Sequence, residues 1–335
     1  MDKLQGFVAY PSNPHQIGTC IKSAIQKVNS FGGANLDGWE ENDVAGRSLT
    51  APIFENIRES NILIADITKL NFNVTYEIGY AIGIGKRVFL IKNKELSSDE
   101  SKITKVGIFD TLGYEEYENE SKLSQILNNV RDLKPLNVSY TPNINTPAYI
   151  VETPVRGQVT THIIARVKKA RLFYRSFIPA ENSRLFANEA ITHVAQSFGV
   201  VIPLLSQDNN DSELHNIRAA FVAGLSHGMD IHTLILQDGR TGPVPLDVRD
   251  TVKTYERPED IDRHIHEFSL NVYEAIQHAS DLHLPEGNLL SQISIGDPMA
   301  ENELQTLGSY YLQTDEFSRV LRGEQAGRGR THVTT

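Results

Sequence analysis

The stretch that most constrains this chain runs from Ile62 to Asn93. Ile62-Leu-Ile-Ala-Asp66 is an apolar run, Asn71-Phe-Asn73 a polar turn, Val74 to Gly85 an apolar segment of helical length closed by glycine, and Arg87 to Ile91 a second apolar run. Together they read as one strand-helix-strand crossover. Ile78, Ala81, Ile82 and Ile84 leave the helix almost no polar face, so it is expected to be buried against a sheet with one carboxylate, Glu77, in its first turn. That position lies at the carboxyl end of a parallel strand, where open α/β sheets bind ligands, and near the positive end of the helix dipole, which favours the ionised form. A first-turn carboxylate also serves merely as a dipole cap on exposed helices. On an apolar helix, burial without purpose costs on the order of several kcal/mol, so Glu77 is the candidate chemical centre.

At 335 residues, 40% hydrophobic and 22% charged, the chain has room for two globular domains. The net charge of −10, with no basic run beyond Arg166-Val-Lys-Lys169 and Arg171, argues against nucleic acid as a partner. The single Cys20 excludes an internal disulfide framework and a multi-cysteine zinc site, and fits a reducing compartment. Met1-Asp-Lys-Leu-Gln5 shows no signal pattern and no apolar run reaches membrane-spanning length, so a cytoplasmic protein without membrane contact is expected. His264 and His266, two apart on a helix, point to different faces, and no metal or cofactor is expected.

Gly6 to Tyr10 reads as a first strand, Gln16 to Ser30 as a helix, and Leu49 to Ser60 as a helix. Between them, Phe31 to Arg47 shows no clear period. It holds the only tryptophan, Trp39, amid Asp37, Glu40, Glu41 and Asp43, which suits a substrate lid or an exposed loop whose tryptophan packs on the core. An acidic segment, 95–120, and a helix from Ser121 to Leu133 complete a first domain, 1–135. Residues 136–160, with Pro142, Pro147 and Pro154, read as a linker. The pattern then restarts: Ala170 to Tyr174 as a first strand, Ser183 to Phe198 as a helix, Val200 to Leu205 as a strand, Asn216 to Gly228 as a helix and Ile231 to Leu236 as a strand. Setting Asn73 on Asn216, an offset of 143, brings Ala81 onto Gly224 and Glu77 onto Ala220. The reading is a duplication, with 161–280 a degenerate second copy lacking the carboxylate. A linker, a helix at 301–321 and a flexible polar tail follow in 281–335. The fold class is therefore α/β: two flavodoxin-like domains, doubly wound with mainly parallel sheets, in tandem, plus a C-terminal helix. Gly79 and Gly83, on one helix face, are expected to permit close helix–sheet packing, and Gly85 to cap the helix.

Tyr10 at the end of the first strand, the strand ending in Asp66, and Asn73-Val-Thr-Tyr-Glu77-Ile-Gly-Tyr-Ala81 followed by a Gly-Lys and a hydrophobic strand resemble the nucleoside 2-deoxyribosyltransferase-like superfamily. That group includes deoxynucleotide N-glycosidases and is a structural cousin of NAD-cleaving TIR domains. The resemblance covers roughly the first 135 residues well and the second copy weakly. It implies that Glu77 is the nucleophile attacking the anomeric carbon. Relatives place an aspartate in the helix before the strand, where this chain has Ile53 with Glu55 close by, so substrate recognition departs from theirs. Several relatives complete each site with a neighbouring subunit. That implies a homo-oligomer, or a second copy acting as a built-in partner in an intramolecular pseudo-dimer.

Breaking an N-glycosidic bond requires a carboxylate facing a sugar centre that becomes oxocarbenium-like, as in retaining glycosidases. Asp66, at the strand end, offers a second acidic group, or else a turn bonded to backbone amides. Tyr10 orients Glu77, stacks on a base, or packs in the core. Ser12, Asn71, Asn73, Trp39 and Asp43 are the candidate substrate-binding residues, with Asn71 and Asn73 equally suited to turn and cap roles. Amides at the start of the Asn73 helix would suit a phosphate. The expected activity is hydrolysis or transfer on a small-molecule nucleoside or nucleotide, NAD included. A TIR-like NAD hydrolase of a bacterial defence system and a non-catalytic nucleotide-sensing or interaction module are the rivals.

Overall fold

The computed structural model describes residues 3–41, 50–96, 100–130, 134–244 and 247–281. The first copy holds β1 (Leu4–Ala9), α1 (His15–Phe31), β2 (Ala34–Gly38), α2 (Thr50–Glu59), β3 (Ile62–Asp66), α3 (Phe72–Gly83), β4 (Arg87–Asn93), α4 (Glu100–Val106), β5 (Tyr114–Tyr117) and α5 (Glu120–Asn128). The second holds β6 (Ala148–Val151), α6 (Gln158–Lys169), β7 (Tyr174–Phe177), α7 (Ala187–Ala195), β8 (Gly199–Pro203), α8 (Ser212–Gly228), β9 (His232–Asp238), β10 (Val252–Tyr255) and α9 (Pro258–Asp281). Each forms a five-stranded, all-parallel sheet, ordered β2-β1-β3-β4-β5 and β7-β6-β8-β9-β10. These are two doubly wound sheets of flavodoxin-like order, with the switch point between β1 and β3 in one and β6 and β8 in the other.

The boundaries differ from the sequence reading in places with a common cause. β6 lies inside the stretch read as linker: four residues between prolines carry too little pattern to register, yet Ala148 to Val151 are fully buried. The first strand of the second copy is therefore β6, and Tyr174, read as the end of that strand, begins the second one. β2 likewise emerges from the aperiodic 31–47 region as an edge strand, with Ala34, Leu36 and Gly38 buried and Asn35 and Asp37 outward. The helix expected at 301–321 lies outside the described residues, as does the tail.

The layers run α1 and α5, first sheet, a shared helical layer, second sheet, then α6 and α9. One apolar cluster joins Leu63 and Ala65 of β3 to Tyr149 and Val151 of β6 through α2, α3, α7 and α8. Ile62 and Ile64 instead face α1 and α5, and Ile163 and Val167 of α6 pack with Ile261, Ile265 and Phe268 of α9. At the centre, α3 and α8 touch backbone to backbone. A Cβ on Gly79 would fall 2.2 Å from the Phe221 carbonyl oxygen, and one on Gly224 2.0 Å from that of Tyr76. Gly83 and Gly228 meet in the same reciprocal way. The glycines thus serve helix–helix packing across the two copies and not helix–sheet packing.

That reciprocity fixes the internal register. Gly79 matches Gly224 and Gly83 matches Gly228, both 145 positions apart (224 − 79 and 228 − 83). The strand starts Arg87 and His232, paired with Ile62 and Gly199, keep the same spacing. The offset is 145 and not 143, because small residues at Ala81 and Gly224 are interchangeable by eye but only the glycine pairs let the backbones meet. Asn71 then matches Asn216, Asn73 matches Arg218, and Glu77 matches Val222 in place of Ala220.

Candidate functional site

A cleft of about 330 Å³ opens at the carboxyl ends of β1, β2 and β3, lined by Tyr10, Ser12, Trp39, Glu40, Ile53, Asn71, Asn73, Val74, Glu77 and Asp247. Chain order explains the convergence. Tyr10 and Ser12 leave β1, Trp39 and Glu40 form a single 3₁₀ turn after β2, and Asn71 to Glu77 enter α3 from β3. Six of the sequence candidates, Tyr10, Ser12, Trp39, Asn71, Asn73 and Glu77, share this one cleft. Tyr10 and Trp39 form an aromatic wall, ring centroids 5.9 Å apart and tilted by 54°. The Trp39 indole N–H is buried without a hydrogen-bond acceptor.

Glu77 is 7% exposed, in the second turn of α3 and not the first. The dipole argument for an ionised carboxylate therefore loses to desolvation: burial, reinforced by the Asp247 carboxylate, pushes its carboxyl up to about 8. Ile53 lines the cleft, whereas Glu55 is exposed on α2 and outside it.

Asp66 stands apart. Strand alternation puts its side chain with Ile62 and Ile64, toward α1 and α5, away from α3. It accepts hydrogen bonds from Tyr117 Oη (2.7 Å), Thr68 N (3.0 Å) and Thr68 Oγ1 (3.0 Å), while Thr68 Oγ1 in turn accepts from Asn93 N (2.7 Å). Burial raises its carboxyl to about 6 against the pull of those bonds. The turn reading fits this geometry, and Asp66 is not among the residues lining the cleft. Asp43 lies outside the described residues.

The two asparagines shape the cleft floor. Asn71 Oδ1 accepts from Asn73 N (2.8 Å) and Val74 N (3.2 Å), and Thr75 N donates to the Asn71 carbonyl (3.0 Å). The amides expected to hold a phosphate are therefore occupied by the helix's own N-cap. Asn73 Oδ1 accepts from Asp247 N (2.8 Å), which clamps a loop of the second copy over the first copy's cleft. Sequence reasoning missed Asp247, since only the packing of α3 on α8 brings the segment after β9 to this side. It also passed over Glu40, next to Trp39, whose carboxylate is bonded to Lys22 Nζ.

At the matching position of the second copy the space is filled among the described residues. Arg218, the counterpart of Asn73, is 1% exposed. It donates through Nε to Val106 O (3.1 Å) and through Nη2 to Lys105 O and Ser183 O, over the Phe177 ring at 5.2 Å. By sheet register Glu152 stands where Tyr10 does, buried and paired with Arg156 (2.7 Å). Segment 106–111 of the first copy closes over this end, with Leu185 N on Val106 O (3.2 Å) and Ala187 N on Thr111 Oγ1 (3.1 Å). No helix of the described residues is long and apolar enough to cross a membrane. No protein-family model matches the chain, and no curated protein matches it either.

Proposed function

We propose that the chain cleaves or transfers at the N-glycosidic bond of a nucleoside-type substrate in the first-copy cleft, with Glu77 as nucleophile. The observation that carries this reading is a 93%-buried carboxyl on the wall of an aromatic-lined cleft at the carboxyl ends of a parallel sheet. A base stacks on Tyr10 or Trp39, and the sugar's anomeric carbon faces Glu77. The Glu77 carboxylate attacks that carbon, the C–N bond breaks, and its electron pair leaves with the base, which takes a proton from water. Water or a second base then attacks the glycosyl ester and frees Glu77.

With a carboxyl near 8, Glu77 in the empty cleft is ionised to roughly one part in ten at pH 7. The positive charge developing on the sugar favours the anion at the step that needs it. A nucleophile therefore gives a rate that rises with pH up to about 8, whereas a general acid gives one that falls. Incubating the protein with nucleosides, deoxynucleosides, deoxynucleotides and NAD, and measuring free base by chromatography from pH 6 to 9, tests the reading. The expected result is base release that Glu77→Gln lowers by at least about a thousandfold. No release from any of these compounds, or release undiminished in Glu77→Gln, overturns it. Ligand binding without turnover would instead support the non-catalytic module.

A further inference from the structure

We infer that the cleft selects its ligand by charge, accepting a phosphate-free nucleoside, preferring one with a positively charged base, and rejecting 5′-phosphates and dinucleotides. The word nucleoside rests on the reading proposed above; the charge preference rests on the lining alone. Among the described residues, the lining carries three acidic side chains, Glu40, Glu77 and Asp247, and no lysine, arginine or histidine. Of the three, among the described residues, only Glu40 forms an ion pair with a cationic partner, Lys22 of α1. The amides at the start of α3 are taken up by Asn71, which holds those of Asn73, Val74 and Thr75. A phosphate here would lose its hydration with no cation or free helix terminus to replace it, beside the carboxylate of Asp247.

The same features suit a cation. Tyr10 and Trp39 place a tilted aromatic pair, ring centroids 5.9 Å apart, on the cleft wall, and aromatic rings attract a flat cationic base. Glu77 is 7% exposed on the cleft wall beside Asp247, where a positive ligand would favour its ionised form. Binding a cation draws Glu77 toward its ionised form and releases a proton near pH 7.

Trp39, the only tryptophan, reports occupancy directly by fluorescence in the full-length protein. The test titrates two series at pH 7: 1-methyladenosine, adenosine and adenosine 5′-monophosphate; then 3-methylcytidine, cytidine and cytidine 5′-monophosphate. In the series whose base fits, the methylated cation is expected to bind tightest. The monophosphate should bind at least about tenfold more weakly than its parent at low salt, a gap that narrows at about 0.5 M salt. Asp247→Asn, which keeps the backbone N–H on Asn73, should narrow the cation–phosphate gap by about threefold. A monophosphate that binds as tightly as its parent or tighter overturns the inference, as does the absence of any Trp39 response in both series. The charge order without base release would instead overturn the glycosidic reading and leave the charge selection standing.

Discussion

The two copies differ most at one turn of one helix. In α3, Asn73 and Glu77 leave a cleft open beneath a loop that the second copy lends through Asp247. In α8, the matching residues are Arg218 and Val222: the guanidinium fills the space by reaching the carbonyls of Lys105, Val106 and Ser183, and Val222 is fully buried. Both copies keep the strand order and the glycine contacts, so the scaffold requires neither the carboxylate nor the opening. The fold is held twice, while the candidate chemistry is held once. Each copy closes over the other's carboxyl end, the second covering a cleft and the first sealing a plug.

The comparison breaks most readily at the glycines. Gly224→Ala puts a Cβ 2.0 Å from the Tyr76 carbonyl oxygen, backbone against backbone, where no side chain can yield. It is expected to cost more than about 4 kcal/mol and to abolish soluble expression, whereas Gly242→Ala, in open space, leaves urea unfolding unchanged. If Gly224→Ala folds normally, α3 and α8 do not meet as described. Next is the plug. Arg218→Met removes three hydrogen bonds, leaving Lys105 O and Ser183 O without this donor while Val106 O keeps Leu185 N, and is expected to lower stability by about 3 kcal/mol in urea unfolding. Ligand response at Trp39 should survive; its loss would mean that the plug supports the cleft across the molecule.

The smallest effect sharpens Glu77 itself. Its carboxyl is raised from 4.5 to about 8 in the folded state, so between those values the unfolded chain ionises and the folded one does not. This group's contribution to stability is then most favourable below about pH 4.5 and declines toward pH 8, by up to a few kcal/mol (~2–4). Asp66, raised to about 6, adds a decline in the same direction that is complete at lower pH. Glu77→Gln removes only the first, so its thermal midpoint should exceed the natural protein's at pH 8 and approach it at pH 5. Equal midpoints at both pH values would mean that Glu77 is not desolvated.

Much of the first copy was legible because its crossover is long and apolar, and an acidic residue on an all-apolar helix has few meanings. What sequence could not carry was shorter or farther apart. β6 is four residues long and β2 alternates over only five, Ala34-Asn-Leu-Asp-Gly38, so neither is long enough to stand out as a strand. Asp66 sits beside the right strand end, but its face follows from counting by twos from Ile62, and only the fold says that the cleft lies on the other side. Asp247 is 170 residues from Glu77 in the chain (247 − 77) and reaches it solely through helix–helix packing. The register, by contrast, was written in the sequence: Gly79 and Gly83 repeat as Gly224 and Gly228 with the same spacing of four.

The central claim, that chemistry belongs to Glu77 of the first copy alone, is met most directly by trapping the intermediate. The protein would be incubated with a substrate nucleoside carrying a 2′-fluorine, which slows breakdown of a glycosyl ester, then digested and analysed by mass spectrometry. The expected result is a single sugar adduct on the peptide bearing Glu77, absent in Glu77→Gln and absent from the peptide bearing Val222. An adduct on any other residue, or continued turnover of the natural substrate with no adduct at Glu77, would contradict the account.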